Sequence, residues 1–502
     1  MSQGSVQGKM ARGAVWMLLL NLIERSLGVV SMILLARLLG PTDFGIVAMA
    51  GSFIYMAQTF TAFGFDVALI QNASAREGDY HTAWTFNVLL GLVILLLMLG
   101  LAAPIAGFYN QPEVFWVVCV LASGPLIGSC ENIGVVAFRK DLDFRKEFRF
   151  QISRKLIGFL VTISFALWLR NYWALVAGML ASRISGTVTS YFVHPFRPRL
   201  SLVSTRRIFG ISRWLLINNI LIFARDRSPD FVIGRFSGSA DLGIYSLSYE
   251  FAHLPTTEIG APVNRALMPG YAKLVDAALF QSAYAGAVRI LSLMVIPAAF
   301  GIFAVAAYAV PVFLGPKWIE CVPLIQILAI SGAFQVFRAS MSTVLIAKGF
   351  IAPVVSINFF FVIAFFGAMA AFVPQFGLLG VAYVTLAVTV LTTPMLIYQL
   401  RSRVQVPLSV LARAAIRPLL ASIVMALAVG FALPEHTAAM SLIDAAAWLM
   451  VGVILGATVY VTVVLVLWAV AGYPAGGERY MLGKIRVRVQ GLMKKARTSA
   501  DP

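Results

Sequence analysis

The side chains of this sequence that could bind or transfer charge lie inside long apolar stretches. The first stretch carries Asn21, Glu24, Arg25 and Gly28 at spacings that place them on one helical face. Two later stretches carry a denser set of amides and ionisable groups. These are Asn218, Asn219, Arg225, Asp226, Arg227, Asp230, Glu250, His253 and Glu258. Because an ionisable group near mid-bilayer costs about 2.5–3.5 kcal/mol, each one indicates either charge pairing within a bundle or a binding function.

The composition predicts an integral membrane protein. Hydrophobic residues make up 60% of the chain and charged residues 12%, whereas soluble proteins are about a quarter charged. Apolar stretches long enough to cross about 30 Å of hydrocarbon predict about fourteen membrane helices. With both termini inside, the external connections hold only Arg37, Arg170, Arg235 and Lys317. The net charge of +18 then follows from the retention of Lys and Arg on the cytoplasmic side, so no nucleic-acid partner is expected.

An internal repeat organises the chain. Residues 16–69 return without a gap at 214–267, and the matches include residues that are not apolar filler. Examples are Trp16 with Trp214, Arg37 with Arg235, Asp43 with Asp241, and Gly45 with Gly243. The repeat maps helices one and two onto helices seven and eight. A shift of six spans keeps both copies in the same orientation, which predicts two six-helix lobes related by a pseudo-two-fold axis along the membrane normal.

The predicted domains follow from this repeat. They are an N-lobe over residues 1–200, a C-lobe over 201–403, two further helices over 404–471 and a basic cytoplasmic tail over 472–502. Polar helix one maps onto polar helix seven, so we expect these two helices to face each other across a central cavity. Pro229 is expected to break the outer third of helix seven.

The corner between helices one and two and the deep basic residues give further expectations. Gly40 and Pro41 stop a helix, and Thr42 or Asp43 can cap the next one.

One group of basic residues lies within a turn or two of the cytoplasmic face and is expected to snorkel towards it. This group is Arg154, Lys155 and Arg213. Another group of charged residues lies deeper in the spans, and the sequence does not fix which way these side chains face. This group is Glu131, Arg183 and Arg338.

Catalytic and cofactor motifs are absent from the sequence. The stretch 477–484 has the wrong spacing for a phosphate-binding loop, and the four histidines form no metal-spaced cluster. The three cysteines lie inside predicted spans, so no disulfide is implied. The sequence therefore predicts a protein without cofactor or metal that is not an enzyme, and whose energy comes from an ion gradient, the membrane potential or the substrate gradient.

Three motifs resemble a known family. They are the corner Ala36 to Gly45, the segments 64–66 and 68–71 that follow it, and the charged loop Phe138-Arg139-Lys140-Asp141-Leu142-Asp143-Phe144. They look like the polysaccharide transporter (Wzx-type) branch of the MOP flippase superfamily, and the loop chemistry is closest to exopolysaccharide and colanic-acid-like flippases. The resemblance implies an all-α membrane fold of six plus six plus two helices, as in multidrug MATE exporters and lipid II flippases.

The resemblance also implies a cargo and a location. The cargo is an oligosaccharide on a polyprenyl diphosphate, which moves from the cytoplasmic to the periplasmic leaflet of a bacterial inner membrane by alternating access. Membrane lipid is an implied partner, and whether polysaccharide polymerase and chain-length proteins take part stays open. The alternatives are a MATE-like multidrug or lipid II exporter, and a membrane polymerase or ligase. The last class generally needs a sizeable external loop, which this sequence lacks.

The hypothesis for the site follows from charge and hydrogen bonding. The basic residues proposed to bind diphosphate oxygens are Arg25, Arg225 and Arg227. The amides proposed to contact sugar hydroxyls are Asn21, Asn218 and Asn219. The groups proposed for ion coupling or for lining the cavity are Glu24, Asp226, Asp230, Glu250, His253 and Glu258.

Overall fold

The structure is a computed structural model of the 502-residue chain. It describes residues 3–61, 65, 69, 76–141, 143–205, 213–254, 256–260, 262–264, 268, 270–271, 276–434 and 440–473. Within these ranges the secondary structure is helical, and no β-strand occurs. The predicted basic tail from residue 474 onward lies outside the described residues, as does the side chain of Asn218.

The chain divides into two compact units, Met1–Leu247 and Ser248–Pro502. The first unit holds nine whole helices and most of a tenth. They are α1 (Gln3–Leu38), α2 (Pro41–Thr61), α3 (Glu77–Tyr109), α4 (Pro112–Leu121), α5 (Ser123–Ser129), α6 (Val136–Lys140), α7 (Phe144–Leu169), α8 (Trp173–Val193), α9 (Arg213–Phe236) and α10 (Ser239–Ala252). The boundary falls inside α10, whereas the predicted lobes divide at residue 200; the lobe limits stay a prediction.

The second unit holds five long helices and three short helical segments. The helices are α11 (Ala277–Ala309), α12 (Cys321–Ala347), α13 (Ile351–Val404), α14 (Leu408–Ala432) and α15 (Leu442–Val470). π-helical turns lie at Thr256–Gly260 and Val310–Leu314, and a 3₁₀ turn lies at Pro316–Trp318. Its core includes Arg338, which is 4% exposed, donates to Thr392 Oγ1 at 2.6 Å and lies over the Phe361 ring. This deep arginine is therefore part of the packing of the second unit.

The predicted membrane spans match helices of the structure. In the described residues, nine helical stretches are long and apolar enough to cross a bilayer, one of them the 54-residue α13. At Gly377 the backbone of α13 leaves helical geometry with φ +54°, so α13 comprises two consecutive helices. Helices α2, α8 and α9, with 21, 21 and 24 residues, also reach about 30 Å at 1.5 Å per residue. With α10 and the π turn after it, every predicted span has its helix. The all-α membrane fold is confirmed.

Large apolar side chains on the outer surface of these helices agree with a lipid environment. Trp168 is 77% exposed, Phe192 85% and Phe431 89%. Such exposure would be unfavourable in water, and it is the expected state of a side chain that faces acyl chains.

The corner between α1 and α2 has the predicted capping function. α1 ends at Leu38 and α2 begins at Pro41, and the backbone N–H of Gly40 donates to Asp43 Oδ2 at 2.8 Å. A carboxylate one turn into the helix thus satisfies an N–H group that the helix leaves unpaired.

The prediction for Pro229 was wrong, because α9 continues through it from Arg213 to Phe236. In lipid, breaking a helix leaves polar backbone groups unpaired, which favours an unbroken one.

The repeat also explains why Gly45 and Gly243 recur. A Cβ atom at Gly45 would lie 1.7 Å from the carbonyl oxygen of Ser239, and one at Gly243 would lie 1.8 Å from that of Pro41. Each glycine therefore meets the first turn of the repeat-related helix. Helices α2 and α10 cross at this pair of equivalent positions, where no other residue type fits without displacement.

Candidate functional site

The predicted residues on α1 lie at partly exposed positions in the first unit. Asn21, Glu24 and Arg25 are each half-buried. Glu24 and Gly28, one turn apart, line a cavity of about 370 Å³ between α1, α7 and α8. Two of the four residues on the predicted face of α1, Glu24 and Gly28, therefore border this cavity, and Glu24 supplies its carboxylate. The predicted central cavity between helices one and seven stays a prediction.

The other charges that line this cavity come from α7 and α8. They are Arg154, Lys155 and Arg183, against the single carboxylate of Glu24. We call this space the basic cavity. Arg154 and Arg183 each lie ten residues inside their helices, counting from Phe144 and Trp173, and therefore about 15 Å along the axis. The expectation that Arg154 snorkels to the cytoplasmic face stays a prediction; in the structure the Arg154 guanidinium lies 3.6 Å from the carboxylate of Glu131.

A second cavity of about 260 Å³ adjoins the first. Its polar side chains come from α3, α5, α6, α7 and α8 and the turn after α5. They are Asn87, Ser129, Glu131, Arg139, Glu147, Gln151, Arg154 and Arg183. We call this space the polar cavity. Arg154 and Arg183 line both cavities, so the two spaces meet at these guanidinium groups.

Ion pairs fix most of the charges in the polar cavity. Glu147 is 2% exposed and accepts from Arg139 Nη2 at 2.7 Å and Nε at 2.9 Å. Its Oε1 also accepts from Gln151 Nε2 at 3.0 Å. A buried carboxylate needs partners of this kind, because an unpaired buried charge is strongly destabilising. Arg139 belongs to the charged loop 138–144, so this motif forms part of the cavity wall.

Arg183 differs from the other arginines of these cavities. Within the described residues its guanidinium takes part in no ion pair or hydrogen bond, and its side chain is exposed. Glu131 is paired with Arg154 and Glu147 with Arg139. The surplus positive charge of the polar cavity thus lies on Arg183.

Glycines seat the two shared arginines. A Cβ atom at Gly186 would lie 2.5 Å from Cδ of Arg154, and one at Gly128 would lie 3.3 Å from Nη1 of Arg183. Helices α7 and α8 are also close, since a Cβ at Gly178 would lie 1.7 Å from Thr162 Oγ1. The glycines on α5 and α8, which have no Cβ atom, therefore leave room for the guanidinium groups to extend between the helices.

The predicted charges of α9 are paired within their own helix. Arg225 Nε donates to Asp226 Oδ1 at 2.7 Å, and Arg227 Nη1 donates to Asp230 Oδ2 at 3.1 Å. Arg227 also lies over the ring of Tyr55, with its Cζ 5.0 Å from the ring centroid. Tyr55 and Arg183 line a small cleft of about 40 Å³ between α2, α4, α5 and α8.

The remaining predicted residues lie elsewhere. Asn219 is half-buried on α9. Glu250, His253 and Glu258 belong to the second unit, where the His253 ring stacks on Tyr249 with centroids 3.9 Å apart. Their predicted place in one cavity with Glu24 stays a prediction. In the described part of the chain no group of three His, Cys, Asp or Glu side chains could hold a metal ion.

Sequence reasoning left the main cavity residues unassigned. The sequence predicts that Arg183 and Glu131 lie deep in the membrane and that Arg154 lies near the cytoplasmic face. It gives no prediction for Asn87, Glu147 or Gln151. One signal was available, because Arg183 lies among small residues on α8, at Gly178, Ser182 and Gly186. Small side chains beside a deep arginine indicate close helix packing or a cavity.

Comparison with known proteins identifies the family. Residues 34–323, more than half of the chain, match the family described as polysaccharide biosynthesis protein. This chain belongs to that family. The matched region contains every polar residue of the polar cavity. Lipopolysaccharide biosynthesis protein WzxC of Escherichia coli (strain K12) is 25% identical over 394 residues, which are 78% of this chain and 80% of WzxC.

Solved structures show the fold of this polysaccharide biosynthesis protein. Lipid II flippase MurJ in an inward closed conformation matches with a TM-score of 0.72 at 12% identity, over 90% of this chain and 98% of MurJ. An inward-facing multidrug resistance MATE family transporter of the MOP superfamily matches with a TM-score of 0.57 at 16% identity, over 76% of this chain and 94% of the transporter. The predicted family and the predicted MOP-like fold are both confirmed.

Proposed function

We propose that this membrane protein is a flippase that moves polyprenyl-diphosphate-linked oligosaccharide from the cytoplasmic to the periplasmic leaflet of a bacterial inner membrane. Both termini are then cytoplasmic, as the distribution of Lys and Arg indicates. WzxC is a lipopolysaccharide biosynthesis protein, and MurJ is a lipid II flippase. The same family and fold support a transporter rather than an enzyme.

The basic cavity is the observation that carries this proposal. Arg154, Lys155 and Arg183 line it from long apolar helices, where each charge needs compensation. Glu131 pairs with Arg154 and Glu24 offsets one further charge, so one positive charge is in excess. Arg183 has no carboxylate partner among the described residues. A diphosphate supplies the missing negative charge, and guanidinium groups bind its oxygens by paired, charge-assisted hydrogen bonds.

The assignment of diphosphate ligands changes with the structure. Arg154, Lys155 and Arg183 become the main proposed ligands of the diphosphate. Arg25, half-buried on α1, stays a proposed contributor. Arg225 and Arg227 already have carboxylates on their own helix, so an incoming anion would have to displace those. Asn21, Asn218 and Asn219 remain proposed sugar contacts, and Glu24 remains a proposed coupling group.

The membrane potential can drive the transport. When a group with about two negative charges moves outward across an inside-negative membrane, its free energy falls by about 2.3 kcal/mol per charge for each 100 mV. Rocking of the two predicted lobes would expose the cavity to each side in turn. A MATE-like exporter of cationic drugs is the alternative, but a cavity with surplus positive charge repels cations.

Reconstitution tests the proposal. The full chain is placed in liposomes with a defined polyprenyl-diphosphate oligosaccharide, and the fraction that a membrane-impermeant sugar oxidant can reach is followed over time. We expect Arg183→Ala to lower the rate at least tenfold and Arg183→Lys to keep part of it. Arg401→Ala, an exposed arginine at the end of α13, is the matched control. Transport by Arg183→Ala at the unchanged rate would overturn the role of the basic cavity.

A further inference from the structure

We propose that the polar cavity binds the single sugar attached directly to the diphosphate, and that Asn87 and Gln151 select this sugar. The inference rests on the proposed function, since it needs a diphosphate on the shared arginines. The basic cavity then binds the diphosphate of the cargo by charge, and the polar cavity binds the first sugar by hydrogen bonds.

Contiguity of the two spaces is the first argument. Arg154 and Arg183 line both cavities, so a diphosphate that these residues bind from the basic side lies at the opening of the polar side. The group covalently attached to that diphosphate is then the nearest part of the cargo to the polar cavity. A diphosphate of this cargo carries two groups, and the apolar polyprenyl chain stays in lipid rather than entering a polar space, so this group is the first sugar.

The second argument is the chemistry of the lining. A sugar ring carries hydroxyls that each donate and accept, and it is bound by side chains that offer both functions. The Asn87 amide makes no hydrogen bond within the described residues, although it faces this cavity from α3. Gln151 donates one amide hydrogen to Glu147, which leaves its second N–H and its carbonyl oxygen for a ligand. Amides with unused donors and acceptors at a cavity wall point to a polar, uncharged ligand.

Size is the third argument. The polar cavity has a volume of about 260 Å³. Cavities for drug-sized ligands span about 300–1,000 Å³. The polar cavity therefore has room for one monosaccharide, and the rest of the oligosaccharide must extend beyond it.

Glu147 acts here as a positioning residue. It is buried, and its Oε1 receives hydrogen bonds from both Arg139 and Gln151. The charged loop thereby fixes the direction of the Gln151 amide before any ligand is present. Preorganised polar groups of this kind bind a matching ligand more tightly than mobile ones, because less freedom is lost on binding.

The experiment compares binding of lipids with and without a sugar. Full-length protein in nanodiscs is titrated with undecaprenyl diphosphate, and with the same lipid carrying one glucose, galactose, N-acetylglucosamine or fucose. We expect the wild-type protein to bind at least one glycosylated probe about tenfold more tightly than the bare lipid. In Asn87→Ala and Gln151→Ala this preference should disappear while affinity for the bare lipid stays the same. Arg183→Ala should weaken the binding of all probes.

Controls separate folding from recognition. Asn87→Leu keeps the branching and the number of heavy atoms of the side chain and removes its hydrogen-bonding groups, so it tests the same position if the alanine variant fails to fold. Gln326→Ala, an amide on α12 in the second unit, should leave every affinity unchanged. Equal affinity of the wild-type protein for bare and glycosylated lipid would overturn this inference, as would an equal loss for both in Gln151→Ala. Absence of binding by all probes would instead overturn the proposed function.

Discussion

A methyl group at Gly45 should destabilise the crossing of α2 and α10 by an amount that the structure bounds. The added Cβ would lie 1.7 Å from the Ser239 carbonyl oxygen, whereas ordinary van der Waals contact begins at 3.4 Å. The obstacle is backbone, so relief requires the two helices to separate by about 1.7 Å. Overpacking of this kind costs about 1–3 kcal/mol. Gly243→Ala should cost a similar amount, because its Cβ would lie 1.8 Å from the Pro41 carbonyl oxygen.

The double variant tests whether the two clashes belong to one crossing. A separation that relieves the first clash also relieves much of the second, so the combined loss should be clearly smaller than the sum of the single losses. Equilibrium unfolding of the purified chain in mixed micelles, with increasing SDS and helical circular dichroism as the signal, measures each free energy. Gly100→Ala is the matched control, because nothing lies within 4 Å of its added Cβ.

The control also sets the sign of the effect. Alanine is preferred over glycine inside a helix by about 1 kcal/mol, so Gly100→Ala should be neutral or slightly stabilising. If Gly45→Ala unfolds at the same SDS fraction as Gly100→Ala, the close approach of α2 to Ser239 does not exist. If the two alanines at the crossing cost the full sum of their single effects, they do not report on one shared contact.

Three further predictions follow from the first unit. Glu147→Ala should cost about 1.5–3 kcal/mol in the same unfolding assay, because half-exposed Arg139 and Gln151 lose their charged acceptor, and Glu147→Gln should cost less. Gly186→Ala should displace the Arg154 side chain and lower transport at an unchanged unfolding midpoint; unchanged transport would contradict the seating. Burial, and then nearby Lys and Arg, lower the pKa of His194 from 6.5. The unfolded chain therefore takes up this proton first as pH falls through 6.5, stability is lost from that pH downward, and His194→Gln should reduce the loss.

The spans could be predicted from the sequence because lipid imposes them. A backbone in hydrocarbon must form helices long enough to cross it, and the retention of basic residues inside predicts the direction of each one. The recurrence of Gly45 and Gly243 was also visible in the sequence. Its reason was not, since a glycine at a corner can serve a turn as well as a crossing, and only the positions of Ser239 and Pro41 decide between them.

The site could be predicted only in part, because the direction of a side chain around a membrane helix depends on its neighbours. Arg183 and Arg338 give the same signal in sequence, a single arginine deep in an apolar stretch. In the structure Arg338 is buried and donates to Thr392, whereas Arg183 is exposed and lines two cavities. Hydropathy contains no term that separates a packing arginine from a binding one.

The pairing of charges explains how a cavity of this kind can both hold and release a cargo. A carrier that binds a diphosphate with several unpaired arginines would hold it too tightly to turn over, since each charge-assisted contact in a dry site is strong. In the first unit the carboxylates of Glu131 and Glu147 keep Arg154 and Arg139 oriented when no cargo is present. They also compete with the cargo for the same donors. Under the proposed function, the net attraction for an anion rests mainly on Arg183 and Lys155, offset in part by Glu24, and the carboxylates of Glu131 and Glu147 are the partners to which Arg154 and Arg139 return when the anion departs.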